Sequence, residues 1–157
     1  MHFIGIITNK NSENNIKKIM RNNCDDNKII FLNSSNLQNF KNVMFDSIVI
    51  NNDIDNEEIL NKIIQKSKYI LCNSDIKFKD EIKNYNNNRA ITYGFNSNAF
   101  VTISSVTDDN MLIYIQKEIE GYNKITGMQE IKFEKYNKNV NVYDGMIATI
   151  INLIYEK

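Results

Sequence analysis

The sequence predicts an α/β domain, and two observations lead to this prediction. Up to residue 94, short apolar and β-branched runs alternate with stretches of helical periodicity, which is typical of parallel strands joined by helical crossovers. After residue 94, strand-like runs follow one another closely, which favours an antiparallel hairpin or meander. Together they predict a Rossmann-like three-layer domain with about five parallel strands, followed by the hairpin or meander and a C-terminal helix.

Five apolar runs are predicted as the parallel strands. The third runs Ser-Ile-Val-Ile without a break, as expected for a parallel strand that helices cover on both faces. In chain order the predicted strands span residues 3–7, 28–32, 47–50, 69–72 and 90–94.

Helical spacing and capping residues occupy the gaps between these strands. Ser12 is expected to cap the first helix, whose apolar residues recur at intervals of three and four. Asp55 and Glu58 are expected to form the capping box of a later helix. The predicted helices or helical turns span residues 13–22, 36–42, 56–67 and 78–85.

The second half is predicted to form a hairpin, one further strand and a helix. Residues 100–106 and 111–117 flank a turn at 108–110, and residues 128–133 are expected to pair with this hairpin. A helix over residues 142–155 has an apolar face made of Met146, Ile147, Ile150, Ile151 and Ile154. Because no linker and no internal repeat interrupts the chain, residues 1–157 are expected to form a single domain.

Composition excludes several classes of function. The 157 residues carry 19 basic and 19 acidic side chains, so no field of one sign attracts nucleic acid or an anionic membrane. No apolar run approaches the ~20 residues that cross a bilayer, and the apolar stretch near the N-terminus is too short for a signal peptide. We therefore expect a cytoplasmic protein without nucleic-acid or membrane partners.

Few residues can carry nucleophilic or metal chemistry. His2 is the single histidine and is expected at a strand edge, so a His-rich metal site and a Ser-His-Asp triad are excluded. Cys24 and Cys72 form no Cys-x-x-Cys pair and are expected to be reduced thiols, with Cys72 packed in a strand as a small apolar side chain. We predict no catalytic residue, no metal and no cofactor.

Candidate binding loops follow the predicted strands, because ligands of open α/β sheets lie beyond the carboxyl ends of the strands. The first loop, residues 8–12, has Lys10 and hydroxyl groups but no glycine after Gly5. A phosphate-binding loop needs glycines so that its backbone N–H groups can wrap the phosphate. Tight binding of a nucleoside triphosphate is therefore not expected there. The other loops of this kind are residues 51–55, 73–75 and 95–98.

Acidic residues near the strand ends have two possible roles. Asp53-x-Asp55-x-Glu57 resembles the start of a calcium loop, but its sixth residue is not glycine and its twelfth is not glutamate, so helix capping by Asp55 is favoured. Asp75 either caps the turn after its strand or faces a ligand, and the sequence leaves both roles open.

Three segments resemble Mur ligases, in the order in which they occur in that family. Residues 91–101, Ile-Thr-Tyr-Gly-Phe-Asn-Ser-Asn-Ala-Phe-Val, are similar to the segment where a strand ending in Tyr/Phe-Gly runs into an Asp-Ala-β-branched strand. Residues 69–75 are similar to the family's strand ending in Asn-x-Asp, and residues 141–148 to its His-Asn-Val-x-Asn-x-x-Ala helix start. The resemblance covers the chain from about residue 45 to its end, and residues 47–52 are similar to the family's strand ending in Thr-Asn.

The resemblance implies a truncated central domain that shares the family's fold but not its activity. Mur ligases are ATP-dependent amide ligases of cell-wall precursor synthesis, and their central domain binds ATP on a Gly-Thr-Asn-Gly-Lys-Thr loop. Here Thr8 and Asn9 remain but both glycines are lost, and Val140 replaces the histidine of the adenine-contacting His-Asn pair, whose Asn141 is retained. No counterpart is expected for the family's catalytic glutamate, Asp-His pair and modified lysine, or for its UDP-sugar and amino-acid domains.

We therefore expect a non-catalytic Mur-ligase-like domain that binds a protein partner or a small ligand at the former nucleotide crevice. The helix start at Asn141 also offers free N–H groups and a favourable dipole to an anion. The alternative for all these polar residues is that they only cap turns and helices. The candidate ligand contacts are Thr8, Asn9, Lys10, Asn73, Asp75, Asn96 and Asn141.

Two other functions stay open at this point. A small ATP-dependent amide ligase or other nucleotide-binding enzyme would place Lys10 and Asp75 in one pocket. A homodimeric interaction module would use residues 100–106 and the apolar face of the last helix, provided that the sheet leaves them exposed.

Overall fold

The computed structural model describes residues 1–21, 27–76 and 89–156, and these ranges form an α/β fold. Most of the strands lie within one or two residues of the predicted apolar runs. In chain order the strands are β1 (His2–Ile7), β2 (Asn27–Leu32), β3 (Ser47–Ile50), β4 (Tyr69–Asn73), β5 (Arg89–Tyr93), β6 (Val101–Val106), β7 (Asn110–Ile115), β8 (Ile119–Glu120), β9 (Ile125–Thr126) and β10 (Gln129–Glu134). The helices of these ranges are α1 (Lys10–Met20), α2 (Glu57–Lys66) and α3 (Val142–Tyr155), with a short 3₁₀ helix at Leu37–Phe40.

Eight of these strands form one sheet, in the order β10-β7-β6-β5-β4-β3-β1-β2. Strands β1 to β5 pair in parallel, which confirms the predicted α/β class with a mostly parallel sheet. Strands β6 and β7 form the predicted antiparallel hairpin, and β10 pairs with β7 as expected for residues 128–133. Strands β8 and β9 form a separate two-stranded ladder.

The hairpin joins the parallel strands through a single register pair. Strand β6 lies parallel to β5, with only Tyr93 and Val101 opposite each other. Because β6 starts where β5 ends, the short connection through Gly94 does not run back along the sheet. The long crossover that parallel neighbours usually require is therefore not needed here.

Helices cover both faces of the sheet, so the layout is Rossmann-like in general terms. Alternate residues of the central strands enter two apolar cores: in β3, Val49 joins the core beneath α1 and α3, while Ile48 and Ile50 join the core beneath α2. All four residues of β3 are fully buried, as predicted for a strand covered on both faces. Helix α3 has its predicted bounds.

One of the two surfaces expected to serve a homodimer is covered within the chain itself. The apolar face of α3, made of Met146, Ile147, Ile150, Ile151 and Ile154, is fully buried in the first core. Strand β6 pairs with β7 and meets β5 at its start, but its last three residues, Ser104, Ser105 and Val106, are exposed. The homodimer alternative therefore loses the helix face and keeps only the end of β6.

The predicted start of α1 is wrong. The helix begins at Lys10, and its N-cap is Asn9, whose side-chain oxygen accepts a hydrogen bond from the Ser12 N–H at 2.9 Å. Ser12 is buried in the first turn instead of capping the helix. The connection from β1 is only Thr8 and Asn9, so the capping position falls earlier than the apolar periodicity suggests.

The predicted capping box of α2 is also wrong. The helix begins at Glu57 after Asn56, and no side chain at that N-cap accepts a hydrogen bond. Glu58 binds Lys62 one turn further along, at 2.6 Å, so its carboxylate does not turn back towards Asp55. An exposed Glu–Lys pair at this spacing satisfies the glutamate within the helix.

Two predictions fall outside the described residues: the polar helix around residues 78–85 and the state of Cys24. The short helix predicted near residues 36–42 is confirmed as the 3₁₀ helix, with Leu37 buried. In the described ranges, no helix is both long enough and apolar enough to cross a membrane.

Candidate functional site

The carboxyl ends of the parallel strands lie at one edge of the sheet, where most of the candidate residues are found. Strand β2 lies on one side of β1 and β3 on the other, so the direction of the strand order reverses between β1 and β3. In open α/β sheets a ligand crevice opens at such a point.

A buried hydrogen-bond network closes the point of reversal. The Asn51 side chain, directly after β3, donates from Nδ2 to Thr8 Oγ1 at 3.0 Å. Its Oδ1 accepts from Asn73 Nδ2 at 3.1 Å and from the Tyr93 hydroxyl at 3.0 Å. Burial raises the pKa of Tyr93 well above its ordinary value, so its hydroxyl stays a donor. The network joins Thr8 and Asn73 through Asn51, with Asn73 buried and Thr8 half-buried.

The connection after β1 leaves no loop that could wrap a phosphate. Only Thr8 and Asn9 separate β1 from α1. The side chain of Asn9 takes the Ser12 N–H, and its carbonyl accepts the Glu13 N–H at 2.9 Å. Two of the N–H groups at this helix start are thus bonded within the chain.

Lys10 points to its own helix and not across the crevice. Its ammonium lies 3.2 Å from Glu13 Oε1, and Lys17 binds the same oxygen at 2.5 Å. The hydrogen bond from Lys17 is the main cause that lowers the pKa of Glu13, and the bond from Lys10 adds to it against the opposing effect of burial. The structure therefore pairs Lys10 with Glu13, whereas Asp75 has other partners.

Asp75 ties three segments together through one carboxylate oxygen. Its Oδ2 accepts the Phe95 N–H at 3.0 Å and the Tyr143 hydroxyl at 2.9 Å. Its own N–H donates to Asn73 Oδ1 at 2.9 Å. Asn73 thus caps the turn after β4, and the Asp75 side chain instead joins β4 to the next loop and to α3.

Gly94 allows this close approach. Its φ is +151°, and a Cβ at this position would lie 2.5 Å from Ser74 Oγ and 2.6 Å from Asp75 Oδ2. Only a residue without a side chain fits between the two loops in this conformation. The next residue, Phe95, is 61% exposed.

Phe95 and Tyr143 form an aromatic pair above Asp75. Their ring centroids are 5.9 Å apart and the rings are nearly perpendicular, at 87°. Burial and the hydrogen bond to Asp75 raise the pKa of Tyr143 to about 12, so its hydroxyl remains protonated. Sequence reasoning did not select either ring, although both lie in segments that it had singled out.

Asn141 and Asn96 have local structural roles. Asn141 and Asp144 form a capping box at the start of α3, and Asn141 Nδ2 donates to Ser12 Oγ at 3.2 Å. This helix start is thereby joined to α1, and the Asp144 N–H that could have met an anion is bonded to Asn141 at 2.9 Å. Asn96 closes its own turn, with Oδ1 accepting the Asn98 N–H at 2.9 Å.

The remaining reactive side chains lie away from this edge or are inert. Cys72 is buried in β4, and burial raises the pKa of its thiol to about 12. His2 lies at the opposite edge, where its Nδ1 is 3.0 Å from Asp46 Oδ1 and its ring packs on Tyr122 and Tyr155. In the ranges that the structure covers, no three metal-ligating side chains come together, and Asp53 and Asp55 are exposed.

No model of a known protein family matches the chain, and a search of curated proteins finds no match. The similarity to Mur ligases is therefore a prediction from the three sequence segments and carries no support from these comparisons.

Proposed function

We propose that the chain is a non-catalytic, Mur-ligase-like domain that binds a protein partner or a small ligand without using a nucleotide. The observation that carries this proposal is the two-residue connection between β1 and α1. A phosphate-binding loop needs several residues there, glycines among them, so that backbone N–H groups point inwards around the phosphate. Thr8 and Asn9 are too few to form such a cradle, and Asn9 bonds the helix start itself.

The polar network supports the same proposal from the other side of the crevice. Nucleotide entry at the strand reversal would have to separate Asn51 from Thr8, which are bonded at 3.0 Å. It would leave Asn73 or Tyr93, both buried, without the partner that Asn51 now supplies. Each buried polar group left unpaired costs about 1–3 kcal/mol, and this free energy would be subtracted from the binding of a ligand at this point.

The three segments that are similar to Mur ligases lie close together at the carboxyl edge of the sheet. They end β4, connect β5 to β6 and begin α3, and a single oxygen of Asp75 contacts the other two segments at Phe95 and Tyr143. Because the carboxyl ends of parallel strands meet in any such sheet, the Mur-ligase-like part of the proposal rests on the similarity of the segments in sequence. The proposal keeps the expected cytoplasmic location.

Titration calorimetry with ATP and ADP, with and without magnesium, tests the nucleotide-independent part of the proposal. We expect no saturable heat with the natural chain. The matched variant is Lys10→Ala, which removes the cation in the first turn of α1. Saturable, magnesium-dependent binding that Lys10→Ala weakens would overturn the proposal in favour of a nucleotide-binding enzyme, and so would release of ADP from ATP by the natural chain but not by the variant.

A further inference from the structure

An exposed aromatic ring is held in a fixed place at the carboxyl edge of the sheet. Phe95 is 61% exposed, yet its backbone N–H is bonded to Asp75 and the preceding Gly94 is closely packed against Ser74 and Asp75. The chain therefore fixes the position of this residue without burying its side chain. A ring that is already ordered loses little entropy when it binds a ligand.

A second ring and a carboxylate complete a corner around Phe95. Tyr143 stands nearly perpendicular to Phe95, so the two rings form adjacent walls. Asp75 lies at their base, exposed to solvent, and the hydrogen bonds that it accepts come from neutral donors. Among the described residues, no lysine or arginine pairs with Asp75, so its charge is uncompensated within this part of the chain.

Some of the other aromatic rings in the described ranges carry a cation on their faces. Lys17 lies 4.9 Å from the Phe31 centroid, and Lys68 lies 3.5 Å from that of Tyr122. Lys117 and Lys18 cover two more rings, those of Phe100 and Tyr136. Within the described ranges, Phe95 and Tyr143 have no such partner, although they are the pair that stands beside an unpaired carboxylate.

We propose that the corner formed by Phe95, Tyr143 and Asp75 binds the ammonium group of a small organic cation. The faces of aromatic rings attract cations, and a carboxylate beside them adds a direct charge interaction. Alkylated ammonium groups suit such a corner best, because their methyl groups pack on the rings and they lose little hydration on binding. The inference rests on the proposed function in one respect: it names the ligand class that the carboxyl edge takes in place of a nucleotide.

The test is an NMR titration of the isotopically labelled chain with choline. Its control ligand is the neutral isostere, in which a tert-butyl group replaces the trimethylammonium group. We expect choline to shift the backbone signals of Phe95, Asn96 and Tyr143 in a saturable way, and the isostere to bind more weakly by between about twofold and thirtyfold.

Two variants connect the binding to the corner. Phe95→Leu removes the exposed ring but keeps an apolar side chain, and Asp75→Asn removes the charge but keeps an oxygen that can accept from Phe95 and Tyr143. Each is expected to weaken choline binding by between about twofold and thirtyfold. Tyr136→Leu and Asp108→Asn, at exposed positions outside the corner, serve as matched controls and are expected to leave it unchanged.

Three results would overturn the inference: no saturable binding of choline, equal binding of choline and its isostere, or binding that neither corner variant weakens. These are distinguishable from failure of the proposed function, which the nucleotide titration decides. If neither nucleotide nor choline binds, the ammonium site is wrong while the nucleotide-independent function stands. If ATP binds and choline does not, both are wrong.

Discussion

Asn51 donates a hydrogen bond to Thr8 across the gap between β3 and β1, at the point where the strand order reverses. In a nucleotide-binding sheet this gap is the place where a ligand would enter. Here the gap is bridged from within, and the same amide also accepts from Asn73 and Tyr93. The carboxyl edge of this sheet is therefore built around a closed network.

Removal of the Asn51 side chain is expected to destabilise the fold. In Asn51→Ala, the buried donors of Asn73 and Tyr93 lose their shared acceptor, and we expect the free energy of unfolding to fall by about 2–4 kcal/mol. Urea unfolding followed by circular dichroism measures this change. The control is Asn96→Ala, which loses one exposed turn bond and is expected to cost less than about 1 kcal/mol. Equal losses in the two variants would contradict a structural role for the network.

A side chain at position 94 is expected to destabilise the fold. Gly94→Ala forces a Cβ against Ser74 and Asp75 at a φ of +151°, and we expect it to cost about 1–3 kcal/mol of unfolding free energy. Gly127→Ala is the matched control, because a Cβ there meets nothing within 4 Å. Its effect is expected to stay within about 1 kcal/mol, with stabilisation possible through the reduced entropy of the unfolded chain. Thermal unfolding of both variants measures these changes in stability. A Gly94→Ala chain as stable as the natural one would contradict the tight contact at this position.

Asp46 is expected to contribute stability that acid removes. Burial opposes ionisation of its carboxyl, but hydrogen bonds from His2, the Phe3 N–H and the Tyr122 hydroxyl outweigh this and hold its pKa below the ordinary value. A carboxyl whose pKa is lower in the folded state stabilises the fold above the unfolded-state pKa, and this contribution is lost as the pH falls through the folded-state pKa. The loss should therefore set in below about pH 4, the ordinary pKa of aspartate.

Urea unfolding at neutral pH and near pH 3 tests this dependence. The natural chain should lose more unfolding free energy on acidification than Asp46→Asn, which has no proton to bind at this position. Asp108→Asn, in the exposed hairpin turn, should behave like the natural chain. If Asp46→Asn and the natural chain lose the same amount, the hydrogen bonds to Asp46 do not favour its charged form.

Cys72 is expected to be unreactive in the folded protein. Its thiol is buried and burial raises its pKa to about 12, so almost no thiolate forms near neutral pH. In the variant Cys24→Ser, Cys72 is the one remaining thiol, and a water-soluble disulfide reagent should label it at a rate limited by unfolding. Labelling should become rapid in urea. Rapid labelling of the folded variant would show that β4 opens easily.

Local patterns predicted the strands well, whereas the helix starts needed information from the fold. The run Ser-Ile-Val-Ile coincides with β3 because each of its residues is buried, and α3 has its predicted bounds because a long apolar stripe fixes a helix. The predicted start of α1 was wrong because Asn9 and Ser12 are both suitable N-cap residues. Which of them caps the helix depends on the direction of the chain as it leaves β1. The single register pair between β5 and β6 is likewise not encoded locally.

The sequence predicted where the candidate site lies but not the hydrogen-bond partners of its residues. Thr8, Asn73 and Asp75 do lie at the carboxyl edge, as the positions of the strand ends implied. The partners that give them a role, Asn51 and Tyr143, come from segments far away in the chain. Tyr143 is 68 residues from Asp75, and no spacing rule connects residues at that distance. Such pairs become visible only once the topology is known.

The sheet has two parts, the parallel strands β1 to β5 and the hairpin β6–β7 with β10. A single register pair between β5 and β6 joins them. The parallel strands and the hairpin meet only over this short stretch, and α3 lies in the core that contains Val49 and Ile91 from the parallel strands and Met111 and Ile113 from the hairpin. The helix therefore helps to hold the two parts of the sheet together. If the packing of α3 weakens, we expect β6 and β7 to detach from the sheet first, together with β10, while the parallel strands stay folded.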